Sequence, residues 1–503
     1  MAKYRDASIF FSGRILSLVV LLGFQLLIVR LLDPIEYGRF AIVVAWGAVA
    51  QVALSFGVQR VVPKYLAQVG HGLRPAAARK LVRASLGVRL GLAVAAIIGT
   101  QWASWRFGLA SDADLPLLAG ALLYIPATMA QNDADAMAQA LGLQRVSRIA
   151  LVGENVGRFA LVAGAAGLGR IGTAVEILLI GGATCALSAL LLLLAVRRAL
   201  AGMPERAGDY GLDRREALPL ALGGYVSTMA WFLSSPGATR IVAGHVLSVV
   251  AFAGFSFAQT LVLSFQRYMP AMLLFPFVEP AVLRHHARTG DVGRLEAALS
   301  LLIKIDLMAV GGAIVGCIVA GEPLIALLTG GRYAQSAFVL PFVLAYVSST
   351  AIYRAFEIVA VALGDSAAML WTLAPSLIGL CLALWLAPHI GIWVVLVYPL
   401  ADAAARLSLF RRALSRYGVH HVLDLPVAAG LILMVAVIAG AGVAAVWLTQ
   451  AGAVATIGIG IVAGLAYGGS LLLMRPLRHR ELAIFGEEGP RALLSALRRF
   501  ARS

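Results

Sequence analysis

The stretch SIFFSGRILSLVVLLGFQLLIVRLL, residues 8–32, settles what kind of molecule this chain is. Its only large polar side chains are Arg14, Gln25 and Arg30. A helix of this length, at about 1.5 Å per residue, spans the ~30 Å hydrocarbon core of a bilayer. It follows Lys3 and Arg5, has no A-x-A cleavage site and exceeds a signal-peptide core, so it reads as a retained first helix of a cytoplasmic-membrane protein. The same texture continues outward through 503 residues, 61% hydrophobic and 13% charged, with mean hydropathy +0.89. Soluble domains are about a quarter charged, so this chain cannot cover the surface of the three soluble domains its length would suggest. The apolar runs are continuous and do not alternate, which excludes a transmembrane barrel.

Fourteen such runs follow one another, from Ser8–Leu32 to Ala451–Met474, or twelve if two are set aside. The expected fold is all-α and polytopic, with two pseudo-symmetric six-helix bundles and a C-terminal helix pair. The expected layout is residues 1–200 and 201–418 for the bundles, 419–475 for the pair and 476–503 for a basic tail. A weak repeat supports two halves: DPIEYGRF (residues 33–40) aligns with SVVAFAGF (residues 248–255) at an offset near 215 residues. Each segment is a short turn feeding an aromatic-led helix. Bundles facing each other in this way suit alternating access around a site between them. Ser235-Pro236-Gly237 and the surroundings of Pro270 and Pro276 mark expected kinks.

The formal charge of +16 raises the question of nucleic acid, but the cations lie mostly between apolar runs. Arg60, Lys64, Arg74, Arg79 and Lys80 follow the second span without an acid among them. Similar groups follow spans six, eight and twelve and fill the tail, whereas connections of the other parity hold only Arg30, Arg39, Arg106, Arg170, Arg240 and Arg332. This asymmetry places both termini in the cytoplasm. No nucleic-acid partner is expected; the segment PRALLSALRRF (residues 490–500) reads as a short basic amphipathic helix, lying on anionic lipid or packed on the protein.

Catalytic signatures are missing. Lys3, Lys64, Lys80 and Lys304 are the only lysines and none lies in a phosphate-binding GxxxxGK[ST] loop. No zinc-protease or nucleophile-elbow motif occurs, and Cys185, Cys317 and Cys381 stand alone in apolar runs. The triplets Asp112/Asp114 and Asp133/Asp135 resemble metal-holding pairs of sugar transferases, a pattern common by chance. The chain is therefore read as a non-enzyme without catalytic residues, cofactor or metal.

Charges inside spans are costly and carry functional weight. Glu154/Arg158, Arg354/Glu357 and Asp402/Arg406 stand at helical spacing and can neutralise one another. Arg14 in the first span and Arg267 in the eighth have no local acid, and Arg89 in the third can also snorkel near Arg83. A cationic cavity built from Arg14, Arg267 and Arg89 would take an anion, because guanidinium grips phosphate oxygens bidentately. Gln51 and Gln266 are the amides expected beside it, with Gln25, Gln59 and Gln259 nearby in sequence. Asp306, Glu154 and Asp402 are candidate ion-coupling acids.

RLLDPIEYGRF (residues 30–40), after a first helix carrying Ser12-Gly13-Arg14, resembles the start of Wzx-type polysaccharide flippases. QALGLQ (139–144) resembles the exit of that family's fourth helix, and EPLIALLTGGRY (322–333) the turn before its tenth. The family belongs to the multidrug/oligosaccharidyl-lipid/polysaccharide exporter superfamily. The resemblance implies translocation of undecaprenyl-pyrophosphate-linked oligosaccharide from the cytoplasmic to the periplasmic leaflet, for O-antigen or exopolysaccharide. It implies a basic cavity for the pyrophosphate, a role carried here onto Arg14 and Arg267. The expected partners are the lipid-linked oligosaccharide and membrane lipid, together with a polysaccharide polymerase and a chain-length regulator. Ser248 and Val249 replace the Asp-Pro of the family's second-half turn. The competing readings are a lipid II flippase, an ion-coupled multidrug antiporter and, outside the superfamily, a membrane polysaccharide polymerase.

Overall fold

The computed structural model describes residues 2–502 apart from 68, 70–72, 107–114, 204–213, 234, 267, 276–277, 279–285, 287–288, 364, 366–370, 421, 479–480 and 482–499. Arg267, Asp112, Asp114, Pro276 and most of the expected tail helix (490–500) lie outside the described residues, as does the side chain of Arg14. The elements are α1 (Ala2–Leu31), α2 (Pro34–Ala53), α3 (Val58–Ala67), α4 (Pro75–Arg106), α5 (Leu115–Ala140), α6 (Gln144–Gly167), α7 (Ala174–Ala201) and α8 (Arg214–Leu233). There follow α9 (Pro236–Val246), α10 (Val249–Gln266), α11 (Val292–Thr329), α12 (Val339–Ala362), α13 (Leu373–Ile390), α14 (Ile392–Ser415), α15 (Leu425–Thr449) and α16 (Ala453–Met474). Strands β1 (Leu477–Arg478) and β2 (Ala501–Arg502) pair in parallel, Leu477 opposite Ala501.

Among the described residues nine helices are long and apolar enough to cross a membrane, and the apolar parts of α1 and α13 are shorter. With α2, α5 and the interrupted α8–α9, about fourteen crossings result, as the run of apolar segments requires. The chain is an all-α, multi-pass membrane protein. Its two compact units are Met1–Leu233 and Ser234–Ser503.

In the first unit the DPIEY turn is a helix start with a tertiary brace. Asp33 Oδ1 accepts from the backbone N–H of Ile35 at 2.8 Å and Glu36 at 2.9 Å, and Pro34 occupies the first helical turn, where its missing N–H costs nothing. Glu36 then bonds Arg39 at 2.7 Å and accepts from the Ala174 N–H at 2.7 Å, which ties the start of α2 to the start of α7. The second span does not run straight through. It breaks after Ala53, where Phe56 (φ 42°) and Gly57 (φ 72°) turn the backbone into α3. A Cβ at Gly57 would lie 1.9 Å from the Ala221 carbonyl oxygen of α8, so only glycine fits both the conformation and the contact. Around this joint Val62, Tyr65, Leu66, Leu73 and Met137 form a buried cluster with Leu192 and Val196.

In the second unit Ser248 takes the capping place of Asp33, its Oγ accepting from the Ala251 N–H at 3.3 Å. The degenerate turn therefore keeps its physical role. The eighth span is interrupted after Gln266 and is helical again over residues 270–275. EPLIALLTGGRY, expected as a turn, is helix up to Thr329. Pro323 lies inside α11, and the stop comes at Gly330, in the left-handed conformation (φ 66°), whose N–H bonds the Ala326 carbonyl. The 38-residue α11 is the spine of this unit. The terminal pair packs directly on it: a Cβ at Gly311 would meet the Tyr467 hydroxyl at 2.1 Å, the close approach that small residues permit in membranes.

Candidate functional site

The candidate site residues are the polar groups buried within the spans of each unit. Arg89 of α4 is 1% exposed. Its Nε donates to the Leu54 carbonyl at 3.0 Å, one Nη to the Gln51 carbonyl at 3.0 Å and the other to the Asp133 carboxylate of α5. Tyr225 of α8 donates its hydroxyl to the Ala53 carbonyl at 3.2 Å and stacks on Phe56. Three carbonyls freed by the break in the second span are thus met by side-chain donors, as a broken helix at membrane depth demands. The Gln51 Oε1 is buried beside this joint without a hydrogen-bond partner. Asp135, the other half of that Asp-x-Asp pair, accepts from Ser147 and from Gln139 at 2.8 Å.

A second cluster in the same unit joins α6 and α7. Glu154 and Arg158 form the ion pair their spacing predicts. Arg158 also donates to Cys185 Sγ at 2.9 Å, reaches Thr184 Oγ1 at 3.5 Å and lies 5.7 Å from the Phe24 ring centroid of α1. Glu154 Oε2 is buried without a hydrogen-bond partner. Cys185, which sequence alone assigns to plain packing, donates its thiol to Glu154 Oε1 at 3.3 Å.

In the second unit Lys304 and Asp306 face different neighbours from one helix. Asp306 accepts from Ser348 of α12 at 3.3 Å. Lys304, 1% exposed, lies 2.8 Å from the Glu481 carboxylate and 3.0 Å from that of Asp424, which caps α15. Arg478 adds a 2.8 Å contact to Asp424, and Ser300 donates to Glu481 at 3.3 Å. Burial alone would push the Asp424 carboxyl up, but the Lys304 and Arg478 cations hold it below the usual carboxylate range. Asp402 accepts from Ser376 at 2.7 Å and pairs with Arg406 at 3.7 Å; the Arg406 guanidinium sits 3.7 Å from the Tyr353 ring centroid. Arg354 stands 5.5 Å over the Phe275 ring, and Gln266 donates to Thr350 at 2.8 Å.

One group was missed in the sequence. Arg240, counted there as a loop cation, lies in α9 and donates to Gln259 and, at 2.6 Å, to Thr260 of α10; Gln259 in turn donates to Thr239 at 2.7 Å. Thr239 and Gln259 line a partly open space of about 240 Å³ with Tyr346, Phe255, Phe342 and Pro399. Most of that volume is open to solvent, and the enclosed part has room for about one water molecule. The signal for such groups was the repeat itself. At the 215-residue offset Arg240 aligns with Gln25, as Arg89 does with Lys304 and Gln51 with Gln266.

No protein-family profile and no curated protein matches the sequence. The fold does match solved structures. A lipid II flippase, MurJ, in an inward closed conformation aligns over 93% of this chain and 98% of its own, with TM-score 0.57 and 14% identity. An inward-facing multidrug resistance MATE family transporter of the MOP superfamily aligns over 81% and 96%, with TM-score 0.61 and 14% identity. A mutant of the Vibrio cholerae MATE transporter VcmN gives 80% and 95%, with TM-score 0.50 and 18% identity. At such identities the likeness is one of fold: this chain shares the architecture of those structures.

Proposed function

We propose that this chain is a flippase that carries undecaprenyl-pyrophosphate-linked oligosaccharide repeat units from the cytoplasmic to the periplasmic leaflet of a bacterial inner membrane, for O-antigen or exopolysaccharide. The observation that carries the reading is the reach of the fold likeness. Against the lipid II flippase it takes in 93% of this chain, against the MATE family transporter 81%. The chemistry supports the same class. Desolvating sugars costs about 1 to several kcal/mol per polar group and a pyrophosphate far more, so a path lined with guanidinium and amide groups must replace the lost water. In this reading Arg14 and Arg267 take the phosphates, and Gln51 and Gln266 supply amide groups to the path. Arg89 is already committed to Asp133 and two carbonyls, so its proposed part is indirect. Asp306, Glu154 and Asp402 are the acids proposed to couple an ion gradient. A polymerase and a chain-length regulator would receive the product.

Deletion of the gene tests the proposal. Surface polymer is expected to be lost while lipid-linked repeat units accumulate in the cytoplasmic leaflet; periplasmic repeat units at wild-type level would overturn it. Complementation of a strain lacking its lipid II flippase would assign the chain to lipid II instead. Arg14→Ala and Arg267→Ala should each reduce export about tenfold or more at unchanged protein level, since a charge-assisted contact is worth about 1.5–3 kcal/mol. Normal export in both variants would remove these residues from the site.

A further inference from the structure

The C-terminal half of α12 carries a polar stripe within a membrane span. The helix packs against α10, α11 and α14. None of its described apolar side chains between residues 339 and 360 is exposed, whereas α15 turns Ile432, Leu433 and Val437 outward, as acyl chains require. Among the described residues of α12 the exposed one is Arg354, and Ser349, Thr350, Tyr353 and Glu357 around it are half-buried. At 3.6 residues per turn these five fall within an arc of about 140°, one face of the helix. Charged groups that stay accessible within a span face a water-filled space, since hydrocarbon would not accept them. Toward the N-terminal half the same face closes, with Tyr346 only 4% exposed.

The groups of the stripe are held in place with bonding capacity to spare. Ser349 and Thr350 donate to the Tyr346 and Val347 carbonyls, each at 2.6 Å, which leaves their oxygens as acceptors. Thr350 uses one such site on Gln266 of α10, at 2.8 Å. Tyr353 is fixed by the Arg406 guanidinium 3.7 Å from its ring centroid, by Phe410 edge-on at 5.3 Å and by a side-chain bond to Thr372. Arg354 lies 5.5 Å over the Phe275 ring, three residues before Glu357 on the same face. A guanidinium has five donors and a carboxylate about four acceptor sites, so contact between the two leaves both able to bond further. Their charges cancel, and a carboxylate beside the guanidinium repels phosphate. Donors and acceptors side by side without net charge match hydroxyl groups, each of which is both.

We propose that this stripe is the carbohydrate subsite of the transport path, with Arg354 donating to sugar hydroxyls and Glu357 and Ser349 accepting from them. It rests on the flippase reading and supplies contacts for the part of the substrate that the phosphate ligands leave unbound.

Native mass spectrometry of the delipidated full chain tests this with two probes. One is the lipid-linked repeat unit extracted from the native cells; the other is undecaprenyl pyrophosphate, the same carrier without sugar. Wild type is expected to retain the repeat unit about tenfold or more over the bare carrier, the worth of one charge-assisted hydrogen bond. R354A/E357A, which leaves the net charge unchanged, should bring the two lipids to near parity by losing the repeat unit alone, and should melt close to wild type. R354Q, a smaller change, should lower the preference severalfold with bare-carrier retention unchanged. Parity in wild type, a preference kept in both variants, or loss of both lipids together in R354Q would each overturn the carbohydrate subsite and leave the flippase reading standing. Retention of neither lipid by wild type would overturn both.

Discussion

Arg89 reaches three partners from the middle of α4, and its burial makes each of them matter. Removing one member of a buried ion pair leaves the other charge unpaired, at a cost of about 3–5 kcal/mol, whereas replacing both by apolar groups is often nearly neutral. Arg89→Met alone should therefore lower thermal stability in nanodiscs sharply, and Arg89→Met with Asp133→Leu should recover much of the loss. The recovery is expected to be partial, because the Leu54 and Gln51 carbonyls lose their donor in both variants. Strictly additive losses would show that the pair itself contributes little. Glu154, Arg158 and Cys185 form a comparable unit, in which a thiol supplies the extra donor to the carboxylate.

At the scale of elements, the decisive feature is the break between α2 and α3. Left-handed backbone costs an L-residue about 1–2 kcal/mol, and at Gly57 a methyl group would also strike the Ala221 carbonyl. Gly57→Ala should thus greatly reduce folded yield, measured by size-exclusion chromatography of the tagged chain. Gly223→Ala, within α8 and with open space around its Cβ, should be neutral or mildly stabilising. Equal yields for the two variants would mean that the joint is not held as described. The capping positions behave similarly across the repeat: Asp33 and Ser248 differ in charge yet both satisfy the first turn of a helix.

For the molecule as a whole, the terminal helix pair and the start of the tail are built into the second unit. Lys304 and Arg478 balance Asp424 and Glu481, so the start of the tail, at Arg478 and Glu481, docks through a neutral four-charge network. Lys304→Met should release it, read as faster proteolysis between residues 475 and 503 at neutral pH. Protection in wild type should be steady across pH 5–8. Folding holds Asp424 low, so its contribution is complete above the ordinary value of about 3.9 and is lost only as pH falls through the lower folded value. Release between pH 5 and 8 would contradict that assignment.

Composition and run length by themselves determined the class and an approximate count of crossings, because hydrocarbon accepts only long apolar helices with their backbone bonds satisfied internally. Residue spacing also fixed the pairs Glu154/Arg158 and Asp402/Arg406, since neighbours at i+4 share a helix face. What only the tertiary structure decided were partnerships between distant segments. Arg89 read as a cavity cation until Asp133, 44 positions away, was seen to hold it; Lys304 found its acids at Asp424 and Glu481; Arg240 moved from loop to helix interior. A charge in a span shows its cost in the sequence, but the group that offsets that cost comes from whichever helix packs beside it, and packing is a property of the folded chain.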